Sequence, residues 1–301
     1  MGKRDKIRHS LLALFFSVLS PLVQGTAAYG ADVVVVQSAA TPIHKSILSG
    51  IESVIKEKAV IANVDEFRSK FRSKPALYIA IGPDALSAVR DQGVPVVFSM
   101  VMNPDTLELD GKHVTGVELF VSAGRQFDQL KEVLPKATKI GVVYAPHATG
   151  HIVERAKEAA RKRGLTLVSR AVRSADEAIA AMDSLTGVDV FWMVPDTIVL
   201  TQETVKHLLL LSLERKIPVY ALSEKYVKNG ALFALAIDPH SLGRQVGEMA
   251  NRVLSGESTG SIPVEPIRDG NLYINTSVAN RLRIDIPRSV LGRAYLYKAG
   301  E

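Results

Sequence analysis

The sequence predicts an α/β protein made of two similar lobes, each built on a parallel sheet. One plan of apolar strand, tight turn, helix and second apolar strand occurs twice, as IGPDALSAVRDQGVPVVFS (81–99) and as VPDTIVLTQETVKHLLLLSLERKIPVYALS (194–223). Strands that alternate with helices are typical of parallel sheets covered by helices. With 301 residues and 47% hydrophobic content, the chain can bury the cores of two domains.

The first 31 residues are predicted to be a secretory signal peptide. Four Lys or Arg residues precede the apolar run Leu11 to Val23, and small residues follow in GTAAYGA. The run is shorter than the roughly 20 residues of a membrane-spanning helix. Because the chain has no cysteine, a lipid-anchored form is excluded, as are disulfides and thiolate metal sites. We therefore expect an exported monomer, cleaved between Ala27 and Ala31, free in a periplasm and not inserted in the membrane.

The charge of the chain argues against a nucleic-acid partner. The signal segment carries four Lys or Arg against one Asp, so it supplies +3 of the formal +6 and leaves +3 for the remainder. The basic runs KFRSK (70–74) and ARKRG (160–164) contain no interleaved stacking aromatic residues apart from one Phe. We interpret them as solvated helix surface.

The first lobe is predicted to open on DVVVVQS, whose uninterrupted β-branched run fits a strand buried on both faces. The segment PIHKSILSGIESVIKEK places isoleucines at helical spacing after Thr41 and Pro42, which indicates a helix. Further strands are predicted at Val60 to Val64, Leu77 to Ile81 and Val94 to Phe98.

A boundary is predicted near Phe120, after which the alternation starts again. The expected elements are strand Ile140 to Tyr144, helix Ile152 to Lys162, strand Leu165 to Ser169, helix Ala175 to Ser184, strand Val188 to Val194, helix Gln202 to Glu214 and strand Val219 to Leu222. The helix from Gln202 is leucine-rich nearly all round, so we expect it in a core. A strand in GALFALAID, a helix from His240 to Leu254, a strand pair and a short helix near Pro287 to Leu291 complete the chain.

Ligands of open parallel sheets bind at the carboxyl ends of the strands, so two such edges facing each other would enclose a cleft. The candidate ligand-binding residues are Ser38, Gly82, Pro83, Asp84, Met102, Asn103, Tyr144, Ala145, His147, Pro195, Asp196, Thr197, Ser223, Glu224 and Asp238. Free N–H groups after Gly82 could hold a carboxylate, and Asp196, Glu224 or Asp238 could hold an ammonium group. The alternative is that Asp84 and Asp196 only cap turns.

Several stretches resemble the ABC-transporter substrate-binding protein family that includes tryptophan-binding members. They are GVPVVFSMVMNPD, HVTGVELF, FDQLKEVLPKATKIGVVYAP, RKIPVYALSEKYVKNGALFALAIDPHSLGRQVGEMANRVLSG and IPVEPIRDGNLYINTSVANRLRIDIPRSVLGRA. The resemblance covers the chain from about Ala76 onward and is most specific from Lys216 to Gly256.

The resemblance implies a type I periplasmic binding fold, with two Rossmann-like lobes joined by a multi-strand hinge whose crossings lie near Phe120, Gly230 and Pro263. The expected first lobe comprises residues 32–120 and 231–262, and the expected second lobe comprises residues 121–230 and 263–301. A small-molecule ligand captured by closure of the cleft would pass to a membrane permease and its ATPase, without a cofactor.

The sequence departs from amino-acid-binding relatives at the predicted cleft. Those relatives typically carry Asn after the tyrosine of the strand that opens the second lobe, where this chain has Ala145, and Thr where it has Pro83. The loop after Val194 reads PDT and is shorter than in those relatives. These departures disfavour an aromatic amino acid as the ligand.

The sequence gives less support to an enzyme, a metal-binding protein or a DNA-binding repressor. No G-x-S-x-G, H-E-x-x-H, Walker or G-x-G-x-x-G motif supports an enzyme. His147 and His151 are four residues apart, as metal ligands on a helix can be, but no third ligand is evident nearby. A sensory protein that signals to a membrane receptor or histidine kinase would have the same fold and remains open. A DNA-binding repressor is disfavoured, because the signal peptide occupies the place of its N-terminal DNA-binding helices.

Overall fold

The computed structural model describes residues 32–71, 74–102, 104, 109 and 113–298, and the predicted signal peptide lies outside these residues. Its strands form two sheets. In spatial order, the first sheet contains β11 (Glu265–Ile267), β5 (Val114–Val121), β4 (Val96–Val101), β3 (Leu77–Ile81), β1 (Val33–Gln37) and β2 (Ala59–Asn63). Every pairing within it is parallel.

The second sheet has seven strands among the described residues. Their spatial order is β13 (Tyr295–Tyr297), β12 (Gly270–Asn275), β10 (Phe233–Ile237), β9 (Val219–Ala221), β8 (Val190–Trp192), β6 (Lys139–Tyr144) and β7 (Thr166–Ala171). Of the pairings described in this sheet, only that of β10 with β12 is antiparallel. The predicted α/β fold with two parallel-sheet lobes is therefore confirmed.

Helices cover both sheets. Those of the first lobe are α1 (Pro42–Glu52), α2 (Val64–Lys70), α3 (Pro83–Val89) and α9 (Pro239–Leu254). Those of the second lobe are α4 (Ala123–Val133), α5 (Pro146–Arg161), α6 (Ala175–Asp183), α7 (Gln202–Arg215), α8 (Glu224–Lys228), α10 (Thr276–Leu282) and α11 (Arg288–Leu291). None of the helices in the described part of the chain is long and apolar enough to cross a membrane.

Glycines let α1 and α9 pack backbone against backbone. A Cβ atom on Gly50 would lie 2.1 Å from the carbonyl oxygen of His240, and one on Gly243 would lie 2.0 Å from that of Ile47. Real Cβ atoms do not approach so closely, because the two atoms would overlap well inside their van der Waals radii, so the packing requires glycine at both positions. The two helices, which are far apart in sequence, together cover one face of the first sheet.

Within the described residues, the chain crosses between the lobes three times. The crossings lie between β5 and α4, between β10 and α9, and between β11 and β12. The first is close to Phe120, as expected, but the others lie near Asp238 and Arg268 and not at Gly230 and Pro263. The reason is strand pairing: β10 pairs with β9 and β12 in the second sheet, and β11 pairs with β5 in the first.

The expected lobe boundaries therefore need two corrections. Residues 233–237 belong to the second sheet although 231–262 was assigned to the first lobe, and residues 265–267 belong to the first sheet although 263–301 was assigned to the second. Gly230, with a φ of 120°, instead forms the turn between α8 and β10.

Helix α7 lies less deeply than its leucines suggested. Leu208 and Leu211 are buried, but Leu210 is 51% exposed. The expectation that the whole helix is enclosed is wrong, because only one side packs on the second sheet. Helix α5 also begins earlier than predicted, at Pro146, so that His147 and His151 are both helical.

Candidate functional site

The carboxyl ends of the two sheets meet where the chain crosses between the lobes. Strands β5 and β11 of the first sheet and β10 of the second each lead directly into a crossing at their carboxyl ends. The other parallel strands of each sheet end at the same edge. The residues that follow them form two facing edges, which we call the first rim (after β1, β3 and β4) and the second rim (after β6, β8 and β9).

On the first rim, Ser38 and Gly82 are in direct contact. The Ala85 backbone N–H donates to Ser38 Oγ at 2.9 Å, and a Cβ atom on Gly82 would lie 2.5 Å from that oxygen. Gly82 has a φ of 100°, so only glycine satisfies both the backbone conformation and the space. The structure thus joins Ser38 to the start of α3, while Pro83 and Asp84 are exposed beside them.

His44 was missed by the sequence analysis and lies next to this contact. Its Nε2 is 3.9 Å from the position of a Cβ on Gly82, and its Nδ1 is 2.8 Å from Thr41 Oγ1. Burial lowers the pKa of His44, which favours the neutral ring. Only its place in the first turn of a helix that follows a strand end could have indicated it.

The end of β4 is irregular. Met100 has a φ of 58°, and the register of β4 with β5 shifts between Phe98 and Val101. Such strained backbone in a non-glycine residue is often found at functional sites. The predicted residue Met102 follows and is 42% exposed, whereas Asn103 lies outside the described residues.

On the second rim, the carboxylate of Asp196 is only 1% exposed and already has four donors. Its Oδ2 accepts hydrogen bonds from the backbone N–H of Ala145 at 2.7 Å and from Thr149 Oγ1 at 2.6 Å. Its Oδ1 accepts from the N–H groups of Ile198 and Val199 at 3.0 and 3.1 Å. This carboxylate therefore holds together the loops that follow β6 and β8.

The ammonium-binding role considered for Asp196 does not agree with this geometry, since both carboxylate oxygens point into the protein. The turn-capping alternative describes the residue better. Around it, Tyr144 and Pro195 are half-buried, and His147 and Thr197 are exposed. Thr149, which was not among the predicted site residues, is identifiable only from the fold, because its partner Asp196 is distant in sequence.

Glu224 is the acidic residue of the second rim that retains an exposed carboxylate. Its side chain is 39% exposed, and its Oε1 lies 2.7 Å from Lys228 Nζ and also accepts a hydrogen bond from the Tyr297 hydroxyl. The hydrogen bond from Lys228, followed by that from Tyr297, lowers the pKa of Glu224. Lys228 also lies 5.1 Å from the Tyr297 ring centroid.

Tyr297, which no sequence pattern indicated, contacts Glu224 from the edge of the second sheet opposite the cleft, because β12 and β13 run antiparallel to β10. It belongs to β13, at the far end of the chain, and reaches Glu224 because β13 is the strand beside β12. Of the remaining predicted residues, Ser223 is half-buried as the N-cap of α8. Asp238 caps α9, since its Oδ1 accepts from the N–H groups of His240 and Ser241.

The histidines at the start of α5 do not form a recognisable metal centre. Within the described ranges, no three or more His, Cys, Asp or Glu side chains are grouped so that they could hold a metal ion. The two rims instead offer hydroxyl, carboxylate and backbone N–H groups, which suit a small polar molecule.

The sequence matches the family described as ABC transporter substrate binding protein over residues 56–298. A tyrosine-binding protein from Clostridioides difficile (strain R20291) is 30% identical over 226 residues, which are 71% of this chain. The aligned region spans 65% of the length of that relative.

Two solved structures are similar over most of both chains. One is an ABC domain in complex with L-Trp from Streptococcus pneumoniae, with 26% identity, a TM-score of 0.57, and coverage of 88% of this chain and 98% of that one. The other is a ligand-free, open substrate-binding protein with adhesive properties from Clostridium difficile, with 25% identity, a TM-score of 0.66 and the same coverages.

Proposed function

Because the chain belongs to the ABC transporter substrate-binding protein family, we propose that it captures a free amino acid or a closely related carboxylate between its lobes. It delivers this solute to a membrane permease and its ATPase. The observation that carries the proposal is the meeting of both sheets' carboxyl edges at three crossings, which makes a cleft that bending of the crossings can close.

The rims supply groups that can recognise an amino acid. Glu224 has a partly exposed carboxylate for an ammonium group. The Tyr-binding relative and the L-Trp complex support an amino acid as the class of ligand. The side chain that is preferred is a separate question, because Ala145 and Pro83 differ from the residues that amino-acid-binding relatives usually carry.

The predicted signal peptide supports action outside the cytoplasm, where solute is collected, and fractionation of the producing cells tests that location.

The decisive experiment is ligand capture by protein that has been unfolded, dialysed and refolded to remove bound solute. We expect native mass spectrometry and calorimetric titration with the twenty amino acids to reveal binding of one solute per chain. Glu224→Gln should weaken that binding at least tenfold. Glu203→Gln, which makes the same charge change on the exposed start of α7, should leave it unchanged. Refolded protein that binds no amino acid would contradict the proposal.

A further inference from the structure

A second cavity lies at the opposite end of the second lobe from the cleft. It has a volume of about 640 Å³ and is bordered by residues at the amino ends of β6, β8 and β9 and after α10. Its apolar lining includes Leu134, Ile217, Pro218 and Ile284. Small-molecule sites typically have volumes of about 300 to 1,000 Å³ and a mostly apolar lining with a few polar groups.

Among the described residues, three cationic side chains line this cavity: Lys136, Lys216 and Arg283. All three are exposed, and among the described residues none of them forms an ion pair with a carboxylate. Of the two acids in the lining, Asp189 is already engaged, since its Oδ2 accepts from the N–H groups of Thr138 and Lys139 at 2.7 and 2.8 Å. Asp285 is the other. The unengaged charge is therefore mainly positive.

Two of these cations occupy helix ends where glycine is usual. Five described helices end with a hydrogen bond from an N–H to the carbonyl five residues earlier, and in each the residue before that N–H has a positive φ. In three of them that residue is Gly164, Gly230 or Gly256. In the other two it is Lys216, with a φ of 55°, or Arg283, with a φ of 57°.

The glycines at the three other ends are not needed for space, because a Cβ atom there would meet nothing within 4 Å. They serve the left-handed backbone conformation, which side chains disfavour. Lys216 and Arg283 adopt that conformation nevertheless, and both border the same cavity. A strained residue that persists is a reason to look for a role of its side chain.

We propose that this cavity binds a small organic anion with an apolar body, whose acidic group is held by Lys216, Arg283 and Lys136. The apolar body lies against Leu134, Ile217 and Ile284. The site is distinct from the cleft and does not depend on the identity of the solute captured there.

Octanoate is a suitable probe, and octanol is its uncharged counterpart. Titration calorimetry on the purified exported protein should show saturable octanoate binding. The double variant Lys216→Gly, Arg283→Gly should weaken it at least tenfold. Since glycine favours the backbone conformation at both positions, the melting temperature of this variant should stay the same or rise, so lost binding cannot be attributed to unfolding.

Two controls sharpen the test. Lys58→Gln removes one charge from an exposed position of the first lobe and should leave octanoate binding unchanged. Glu224→Gln, in the cleft, should also leave it unchanged. The proposal is overturned if the unmodified protein shows no saturable octanoate binding, if the double variant binds octanoate within threefold of it, or if octanol binds as tightly as octanoate.

Discussion

Asp196 is hydrogen-bonded to the backbone of Ala145, so one buried carboxylate ties together the ends of β8 and β6. The distance from the Ala145 nitrogen to Asp196 Oδ2 is 2.7 Å. Thr149, one turn into α5, donates to the same oxygen at 2.6 Å. The conformation of the second rim therefore depends on Asp196, a residue that is itself almost fully buried.

Asp196→Ala should destabilise the protein, because four donors would lose their acceptor inside the second lobe. We expect the free energy of unfolding to fall by about 2 to 4 kcal/mol in urea denaturation. Asp84→Ala, at an exposed position of the first rim, should change it by no more than about 0.5 kcal/mol. Equal stability of the two variants would contradict the assigned contacts.

Gly243→Ala should separate α1 from α9, since the new Cβ atom would lie 2.0 Å from the carbonyl oxygen of Ile47. We expect a loss of about 2 to 4 kcal/mol in the free energy of unfolding. Gly150→Ala is the matched control, because Gly150 lies in α5 and the nearest atom to its Cβ would be 3.9 Å away, in Pro146 of the same helix. That change should stabilise the protein by about 0.5 to 1 kcal/mol.

The pKa of Glu224 should rise in Tyr297→Phe, because one of the two hydrogen bonds that lower it is lost. The carboxyl resonance of Glu224 in a pH titration by NMR measures this shift. Tyr295→Phe is the control, since Tyr295 stacks on Tyr273 without a hydrogen bond to Glu224 among the described contacts.

The same lowered pKa sets the direction of the pH dependence of stability. Because the folded-state pKa is below that of the unfolded chain, the Glu224 contribution is fully present above the unfolded-state pKa. It is lost as the pH falls through the folded-state pKa. In Tyr297→Phe this loss should occur at higher pH, and an unchanged titration midpoint would argue against the hydrogen bond.

Arg155→Met should weaken the contact between the lobes. Arg155 of α5 lies 3.2 Å from Glu118 of β5, whose side chain is only 8% exposed. Leaving that carboxylate without its partner should lower the free energy of unfolding by about 1 to 2 kcal/mol. Adding Glu118→Gln should restore part of the loss, as a double-mutant cycle would reveal. Strictly additive effects would mean that the two side chains do not interact.

Local patterns predicted most elements because each depends on neighbouring residues. The β-branched run at Val33–Gln37 became a buried strand, and Thr41 with Pro42 began α1 as expected. The helix Gln202–Arg215 was located almost to the residue, but its exposed Leu210 was not anticipated. The spacing of apolar residues indicates that a segment is helical. It does not indicate how much of the helix surface other elements will cover.

Relationships between distant segments could not be read from the sequence. The crossing at Asp238 was misplaced because sheet membership of β10 depends on its pairing with β9 and β12. The Tyr297 contact with Glu224 needs the register of β13, and two of the four donors to Asp196, Ala145 and Thr149, come from a distant segment of the chain. The positions of the candidate rims followed from the strand ends. The burial and hydrogen-bond partners of each side chain could be determined only from the structure.

The second passage of the chain between the lobes, from β10 to α9, affects the order of folding. A growing chain that has reached Val121 already contains β1 to β5, yet α9 and β11 are still missing from the first lobe. The glycine surface of α1 therefore stays uncovered until the second lobe has been synthesised as far as β10. Neither lobe is a continuous stretch of polypeptide, so a truncation before Pro239 removes part of the first lobe as surely as it removes the end of the second.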